Sequence, residues 1–383
     1  MHSPSTPQPL ALYIHWPFCV TKCPYCDFNS HVRPDRDEAA WAGALLAELA
    51  HEAALTPDHR LGSIFFGGGT PSLMAPATVA AVIDAATRHW RVDADIEITL
   101  EANPSSVEAA RFAGFAAAGV NRVSLGLQAL DDAALKLLGR PHDLAEGLAA
   151  LDVAQAHFGR VSFDLIHTRP GQSVAQWQAE LARALAFGTT HLSAYQLTIE
   201  PGTRFASLFA KGLLTLPHED DSATMFELTG AMCAAAGLLP YEVSNHARPG
   251  DESRHNLAYW RYDDYVGVGP GAHGRRHGAA TARLKRPESW ITAVTADGHG
   301  IETSEAIPPA TAAREALLMG LRLADGIDPA HFAARTGVAL DAAIDSVARA
   351  RLTTLGLLHP GEQLRVTDAG RSVLNRVIAE LAG

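Results

Sequence analysis

The chain has little cysteine, no surplus of positive charge and no long apolar run. Four cysteines in 383 residues cannot build a disulfide framework, and so few thiols suit a reducing compartment. Lys and Arg number 31 against 42 Asp and Glu, a net charge of −11. That balance excludes a basic surface able to neutralise phosphates in nonspecific binding, so no nucleic-acid partner is expected. No uninterrupted apolar segment approaches the roughly 18 residues of a transmembrane span. The opening stretch, MHSPSTPQPL, is polar and proline-rich, without a basic region leading into an apolar one. A soluble, cytoplasmic protein is the expectation. With 47% hydrophobic and 19% charged residues a sizeable core is available, and the length permits two or three domains, or one large α/β barrel with an appendage.

Scarcity makes position informative. Three of the four cysteines, Cys19, Cys23 and Cys26, fall within eight residues, spaced C-x-x-x-C-x-x-C. Three thiolates can converge on one metal centre while leaving one place for an outside ligand, as in an iron–sulfur cluster with an open iron. The competing readings are a structural zinc site, with His15 or His31 as the fourth ligand, and a loop without metal. Structural zinc usually draws on two separated cysteine knuckles, and no second knuckle is present. Cys233 stands alone in a helical stretch and reads as a small core residue.

Along the chain, short apolar runs alternate with helical patterns. Strands are expected at 12–15, 63–66, 96–100, 122–128, 161–166 and 192–199. Helices are expected at 37–54, 77–90, 107–118, 131–139, 144–158 and 174–187. Six strand–helix units with short connections indicate a parallel sheet, and a partial barrel of six fits the count better than a full eight. The expected divisions are an arm (1–10), the partial barrel (11–202), a capping region (203–307) and a C-terminal helical domain (308–383). Beyond 202, a helix is expected over 222–237, a short strand over 241–244 and an irregular glycine- and histidine-rich region over 251–278. Helices at 311–323, 328–335 and 340–355, a hairpin around Pro360-Gly361 and a helix capped by Thr367 give the last domain a winged-helix-like pattern. Its eight arginines are balanced by eight acids, without lysine, which weakens any DNA-binding reading.

The spacing C-x-x-x-C-x-Y-C, with Tyr25 before the third cysteine, resembles the radical S-adenosylmethionine (SAM) superfamily. The resemblance implies a 4Fe-4S cluster on Cys19, Cys23 and Cys26, with S-adenosyl-L-methionine chelating the open iron and yielding a 5′-deoxyadenosyl radical on reduction. It also gives meaning to the strand ends, since active sites of such barrels gather at the C-terminal edges of the strands. Gly68, Gly69 and Thr70 end the second strand and resemble the glycine motif that meets the cofactor's amino group. Glu101 ends the third, Gln128 the fourth, Arg140 follows the next helix, and Asp164 lies in the fifth. A charge in Phe163-Asp164-Leu165-Ile166 is expensive unless it is paired. With Tyr13 and Tyr25, these residues form the implied cofactor pocket.

From about residue 11 to the C-terminus, Tyr13-Ile14-His15-Trp16-Pro17-Phe18-Cys19, Glu101-Ala102-Asn103-Pro104 and Ser124-Leu125-Gly126-Leu127-Gln128 resemble the coproporphyrinogen III oxidase-like branch, and within it the HemW-type heme chaperones. Two features separate the branch members. The oxidase has a further cysteine two places after the third, where this chain has Phe28. It also carries a longer N-terminal extension. His255-Asn256-Leu257-Ala258-Tyr259-Trp260 has the H-N-x-x-Y-W form of the chaperones. The resemblance implies heme contact by His255, with His246, His273 and His277 as alternatives and Gly267–Gly274 as a segment closing the barrel mouth. Read from the residues alone, His255 packs a local turn with Tyr259 and Trp260. The function implied is a heme carrier passing heme to an acceptor hemoprotein, with an electron donor for the cluster. The rival is an enzyme, the oxygen-independent coproporphyrinogen III oxidase, which oxidatively decarboxylates propionates.

Overall fold

The computed structural model describes residues 7–33 and 37–382. Most of the expected arm (residues 1–6) lies outside the described residues. Its last part does not stay loose, because the first strand already begins at Gln8.

The central sheet has strands β1 (Gln8–Trp16), β2 (His59–Gly68), β3 (Arg91–Ala102), β4 (Arg122–Gln128), β5 (Arg160–His167) and β6 (His191–Gln196). These six pair in parallel, in chain order. Behind them run α1 (Glu38–Leu55), α2 (Pro76–His89), α3 (Ser106–Ala109), α4 (Phe112–Ala117), α5 (Asp132–Leu137), α6 (Leu144–His157) and α7 (Val174–Leu185). Asp37 caps α1, and reciprocal capping boxes start α6 (Asp143, Glu146) and α7 (Ser173, Gln176), satisfying otherwise orphaned first-turn amides. The expected helix over 107–118 is two short ones, interrupted at Ala110–Arg111.

Beyond these units come α8 (Arg204–Ala210), α9 (Glu219–Ala235), β7 (Leu239–Pro240), β8 (Asn245–Ala247), α10 (Arg254–Trp260), β9 (Asp264–Val268), β10 (His273–Arg276), β11 (Ala279–Arg283), α11 (Pro287–Asp297) and β12 (Ile301–Ala306). The sheet order is β12-β11-β10-β9-β1-β2-β3-β4-β5-β6-β8-β7. Its two ends do not meet, so the barrel is open. Two expectations are corrected here. Residues 241–244 are a bend between β7 and β8, not a strand. The stretch 251–278 is not irregular, because β9 pairs in parallel with β1 and adds a seventh parallel strand. Its glycines serve close approach: a Cβ on Gly267 would lie 2.0 Å from His273 O. The turn after β9 packs against the cysteine loop. Asn29 of the cysteine loop donates to Pro270 O at 2.9 Å, so the turn braces that loop.

Alternation along the strands divides the molecule. Leu12, Ile14, Ile64, Phe66, Ile98, Leu100, Leu125, Phe163 and Leu165 face the helices and pack with Leu45, Leu49, Val82, Leu151, Trp177 and Leu181. Interleaved with them, Ser63, Thr99, Ser124, Ser162 and Ser193 are buried on the inner side. A second core runs from Ala312 to Leu381 and includes Tyr262. It belongs to α12 (Pro309–Gly320), α13 (Pro329–Thr336), α14 (Leu340–Ala343), α15 (Ser346–Thr354), α16 (Asp368–Arg371) and α17 (Leu374–Leu381). The helix expected over 340–355 breaks at Ile344–Asp345. Bridges Ile327↔Leu364 and Leu358↔Val366 form a short wing. Among the described residues, no helix is long and apolar enough to cross a membrane.

Candidate cofactor site

The cysteine loop leaves β1 at the C-terminal edge of the sheet and is pinned along its length. Gly69 N donates to Trp16 O (2.7 Å), His31 N to Pro17 O (2.7 Å) and Phe205 N to Pro24 O (2.9 Å). His15 Nε2 lies 2.9 Å from Asn29 O. Each sulfur meets a side chain: Thr70 Oγ1 lies 3.4 Å from Cys19 Sγ, Arg140 Nη1 3.4 Å from Cys23 Sγ, and Ser30 Oγ 4.0 Å from Cys26 Sγ.

All three thiols are free and face one cavity of about 590 Å³, within the roughly 300–1,000 Å³ of small-molecule sites. Their sulfurs do not all lie within 4.8 Å of one another. A single tetrahedral zinc with Zn–S bonds of about 2.3 Å would need them closer, whereas a multi-iron cluster spans a wider set. Burial pushes the Cys19 and Cys26 thiols up, so their deprotonation is coupled to metal uptake.

The same cavity is lined by Tyr25, Gly68, Gly69, Thr70, Glu101, Gln128, Arg140 and Asp164. Gly68 adopts φ +113°, where L side chains are strained, and its amide donates to Glu101 Oε2 at 3.2 Å. Gln128 ends β4 at φ 69°, a costly conformation for a non-glycine residue. Its Oε1 is buried without a partner among the described residues. Arg140 reaches across the floor to Asn103 Oδ1 (2.5 Å) and Gly126 O (3.0 Å). Ser124 Oγ donates to Asp164 Oδ1 at 3.2 Å.

Two carboxylates thus face the cavity with no cation within ion-pair distance among the described residues. Burial, and then the charge of Asp164, push Glu101 up to about 8; burial likewise raises Asp164. The Arg122 charge offsets this only in part and neither carboxyl forms an ion pair among the described residues, a deficit that an ammonium or sulfonium would fill. Together with the orphaned Gln128 oxygen and the three spread thiols, they fit an iron–sulfur cluster carrying a cationic amino-acid ligand.

Two expected residues lie elsewhere. Tyr13 sits one layer deeper, its hydroxyl 3.0 Å from His15 Nδ1. His255 is buried beside it, stacked on Phe65 at 4.7 Å and packed with Tyr259 at 4.9 Å, and Ser63 Oγ lies 3.5 Å from its Nδ1. Burial, and then the Arg122 charge, lower it to about 3, so it stays neutral. It therefore occupies the barrel interior, not the pocket mouth. Asn103, Glu108, Ser124 and Tyr195 line the pocket but carried no role in the sequence reading. Asn103 was visible there within Glu101-Ala102-Asn103-Pro104; it bridges Thr70 and Arg140.

The radical SAM superfamily profile matches residues 13–183, and that of the HemN C-terminal domain matches 307–373. The heme chaperone HemW of Escherichia coli is 35% identical over 382 residues, covering 97% of each chain. The chain belongs to the HemW family of radical SAM proteins. The heme chaperone HemW of Mycobacterium tuberculosis is 36% identical over 389 residues, covering 100% of this chain and 97% of that one. The cattle (Bos taurus) radical S-adenosyl methionine domain-containing protein 1, mitochondrial, is 43% identical over 342 residues, covering 86% and 77%. Among solved structures, the Escherichia coli coproporphyrinogen III oxidase HemN superposes with a TM-score of 0.82 over 99% of this chain and 91% of that one, at 23% identity. That similarity establishes a shared fold.

Proposed function

We propose that this protein is a heme chaperone: it binds heme and passes it to an acceptor hemoprotein. A 4Fe-4S cluster on Cys19, Cys23 and Cys26 and S-adenosylmethionine in the adjoining pocket accompany that role. The observation that carries the reading is identity of 33–36% over 97–100% of the chain with proteins named heme chaperone HemW. When bound, cluster and S-adenosylmethionine supply one-electron chemistry.

The residues have separable tasks. The three cysteines hold the cluster, and Thr70 and Arg140 hydrogen-bond to the sulfurs and so tune it. Glu101 and Asp164 receive the cofactor's positive groups, and Gln128 Oε1 takes a donor. The Gly68–Gly69 turn lets the backbone approach closely. His255, held neutral, is proposed as the imidazole for heme iron. Phe28, 58% exposed on the pocket lining, presents an apolar ring where the oxidase resemblance would place a further cysteine, and this weighs for a carrier.

The test is an anaerobic heme titration of cluster-loaded protein, followed by transfer to an apo-hemoprotein, alongside incubation with coproporphyrinogen III, S-adenosylmethionine and reductant. A Soret band that moves to the acceptor supports the proposal. Stoichiometric decarboxylation of coproporphyrinogen would replace it with the oxidase.

A further inference from the structure

Two of the three cysteine sulfurs take hydrogen bonds from side chains that meet on a single amide. Asn103 follows the end of β3 and lines the cofactor cavity. Its backbone N–H donates to Glu108 Oε2 at 2.9 Å. Glu108 is buried and also accepts the Ser72 hydroxyl, so the backbone of Asn103 is anchored. On one side of its side chain, Arg140 Nη2 donates to Asn103 Oδ1. On the other, Asn103 Nδ2 donates to Thr70 Oγ1 at 3.1 Å. Beyond these partners lie the sulfurs, with Thr70 Oγ1 3.4 Å from Cys19 Sγ and Arg140 Nη1 3.4 Å from Cys23 Sγ.

The chemistry of the groups gives this chain a direction. A guanidinium carries donors and no acceptor, so the amide must turn its oxygen to Arg140, and its NH2 then faces Thr70. A hydroxyl has one proton and two lone pairs. With Asn103 Nδ2 donating to Thr70 Oγ1, the hydroxyl proton is left for Cys19 Sγ. The amide oxygen also steadies the guanidinium, whose other nitrogen reaches Cys23 Sγ. One side chain thus orders the donors on two sulfurs, and hydrogen bonds linked in series polarise one another. Cys26 Sγ meets Ser30 Oγ at 4.0 Å, a contact in which Asn103 has no part.

We propose that Asn103 is a positioning residue that raises the reduction potential of the cluster by directing the Thr70 and Arg140 donors onto Cys19 and Cys23. The inference rests on the cluster assigned to the three cysteines and does not depend on heme transfer. Reduction takes one electron from an external reductant, makes or breaks no bond in the protein, and leaves more negative charge on the thiolate sulfurs. Donors aimed at those sulfurs stabilise the reduced form more than the oxidised one, and hydrogen bonds to sulfur are among the factors that set such potentials.

The experiment is an anaerobic redox titration of the full reconstituted chain without S-adenosylmethionine, using dithionite and mediators and reading the reduced cluster by electron paramagnetic resonance. Wild type, Asn103→Ala, Thr70→Val and the double variant are compared, with iron and sulfide measured on each sample. Asn103→Ala is expected to lower the midpoint. At a fixed poise its reduced-to-oxidised ratio should fall roughly tenfold, which is about 59 mV for a one-electron couple. Thr70→Val should lower the midpoint less, and the Asn103→Ala shift should shrink in the Thr70→Val background, because the two residues share one path. A purely structural role would reduce cluster content and leave the midpoint of the intact clusters unmoved, and that result overturns the inference. So does a shift of equal size in both backgrounds. Should Asn103→Ala hold no cluster, Asn103→Asp takes its place: it keeps an acceptor for Arg140 and loses the donor to Thr70. A shift that Thr70→Val does not shrink again overturns the inference. If wild type assembles no 4Fe-4S cluster, the cluster reading falls and this one with it.

Discussion

Glu101 Oε2 accepts the amide of Gly68 at 3.2 Å, so the carboxylate ending β3 holds the glycine turn ending β2. This contact joins two walls of the pocket.

Glu101 also sets a pH dependence. Burial and Asp164 raise it from an ordinary 4.5 to about 8. Between those values the folded state holds a proton that the unfolded state has lost. The associated stability is therefore full below 4.5 and disappears as pH rises through about 8. Cluster-loaded protein without S-adenosylmethionine should melt at progressively lower temperature from pH 5 to 8, and Glu101→Gln should flatten that slope. Titration calorimetry should show the variant binding S-adenosylmethionine about 2 kcal/mol more weakly, the scale of a hydrogen bond to a charged group. An unchanged affinity would remove Glu101 from the cofactor cradle.

Each cysteine of the loop should be necessary for iron. Cys19→Ala, Cys23→Ala and Cys26→Ala are each expected to lose most iron and acid-labile sulfide after anaerobic reconstitution, and with it the brown absorbance. Cys233→Ala should retain both, because Cys233 lies on the buried face of α9, in the core. Stoichiometric zinc with no sulfide in the wild type would contradict the sulfur spacing argued above.

Much of this site was legible because it sits at strand ends, where a change from apolar run to polar residue marks the barrel mouth. Gly68, Glu101 and Gln128 arrive at one cavity for that reason, and Asp164 joins them from within β5. Less legible was the interior. Parallel strands buried on both faces are expected to be apolar throughout, so Arg122-Val123-Ser124-Leu125-Gly126-Leu127-Gln128 reads first as a core strand. Its alternate polar positions were the available sign that the inner face of the sheet is polar. The seventh parallel strand was hidden by Gly267, Gly269 and Gly271, which read as irregular chain until their close neighbours are known. His255 shows a different limit: a motif can name a residue without saying which side of the sheet it faces.

Gly69 tests the joint between loop and barrel. A Cβ there would lie 2.7 Å from Phe18 O and 2.9 Å from Pro17 C, backbone atoms that cannot swing aside. Gly69→Ala should displace the start of the cysteine loop, where Gly69 N now binds Trp16 O. The expected result is a loss of about 2 kcal/mol in stability, typical of overpacking, with reduced iron content measured on the same samples. Full iron occupancy at wild-type stability would mean that the loop adjusts freely.

At the opposite end of the barrel, Arg335 ties α13 to the sheet. Its guanidinium pairs with Asp264 Oδ1 and its Nε donates to Tyr262 O at 3.1 Å. The other Asp264 oxygen meets His59 Nε2 and the His277 amide, each at 3.2 Å. Burial would raise Asp264, but His59 and Arg335 outweigh it and hold the carboxyl below its ordinary range. A depressed carboxyl contributes stability above its unfolded value, and that contribution is lost as pH falls through the folded value. Arg335→Ala should cost about 3 kcal/mol at neutral pH by leaving a buried charge with less compensation. Because the lost interaction is the acid-labile one, the variant should also lose less stability than wild type between pH 5 and 3. Denaturant titrations at the two pH values measure both effects, and parallel losses in the two proteins would show that Asp264 does not depend on Arg335 for its charge.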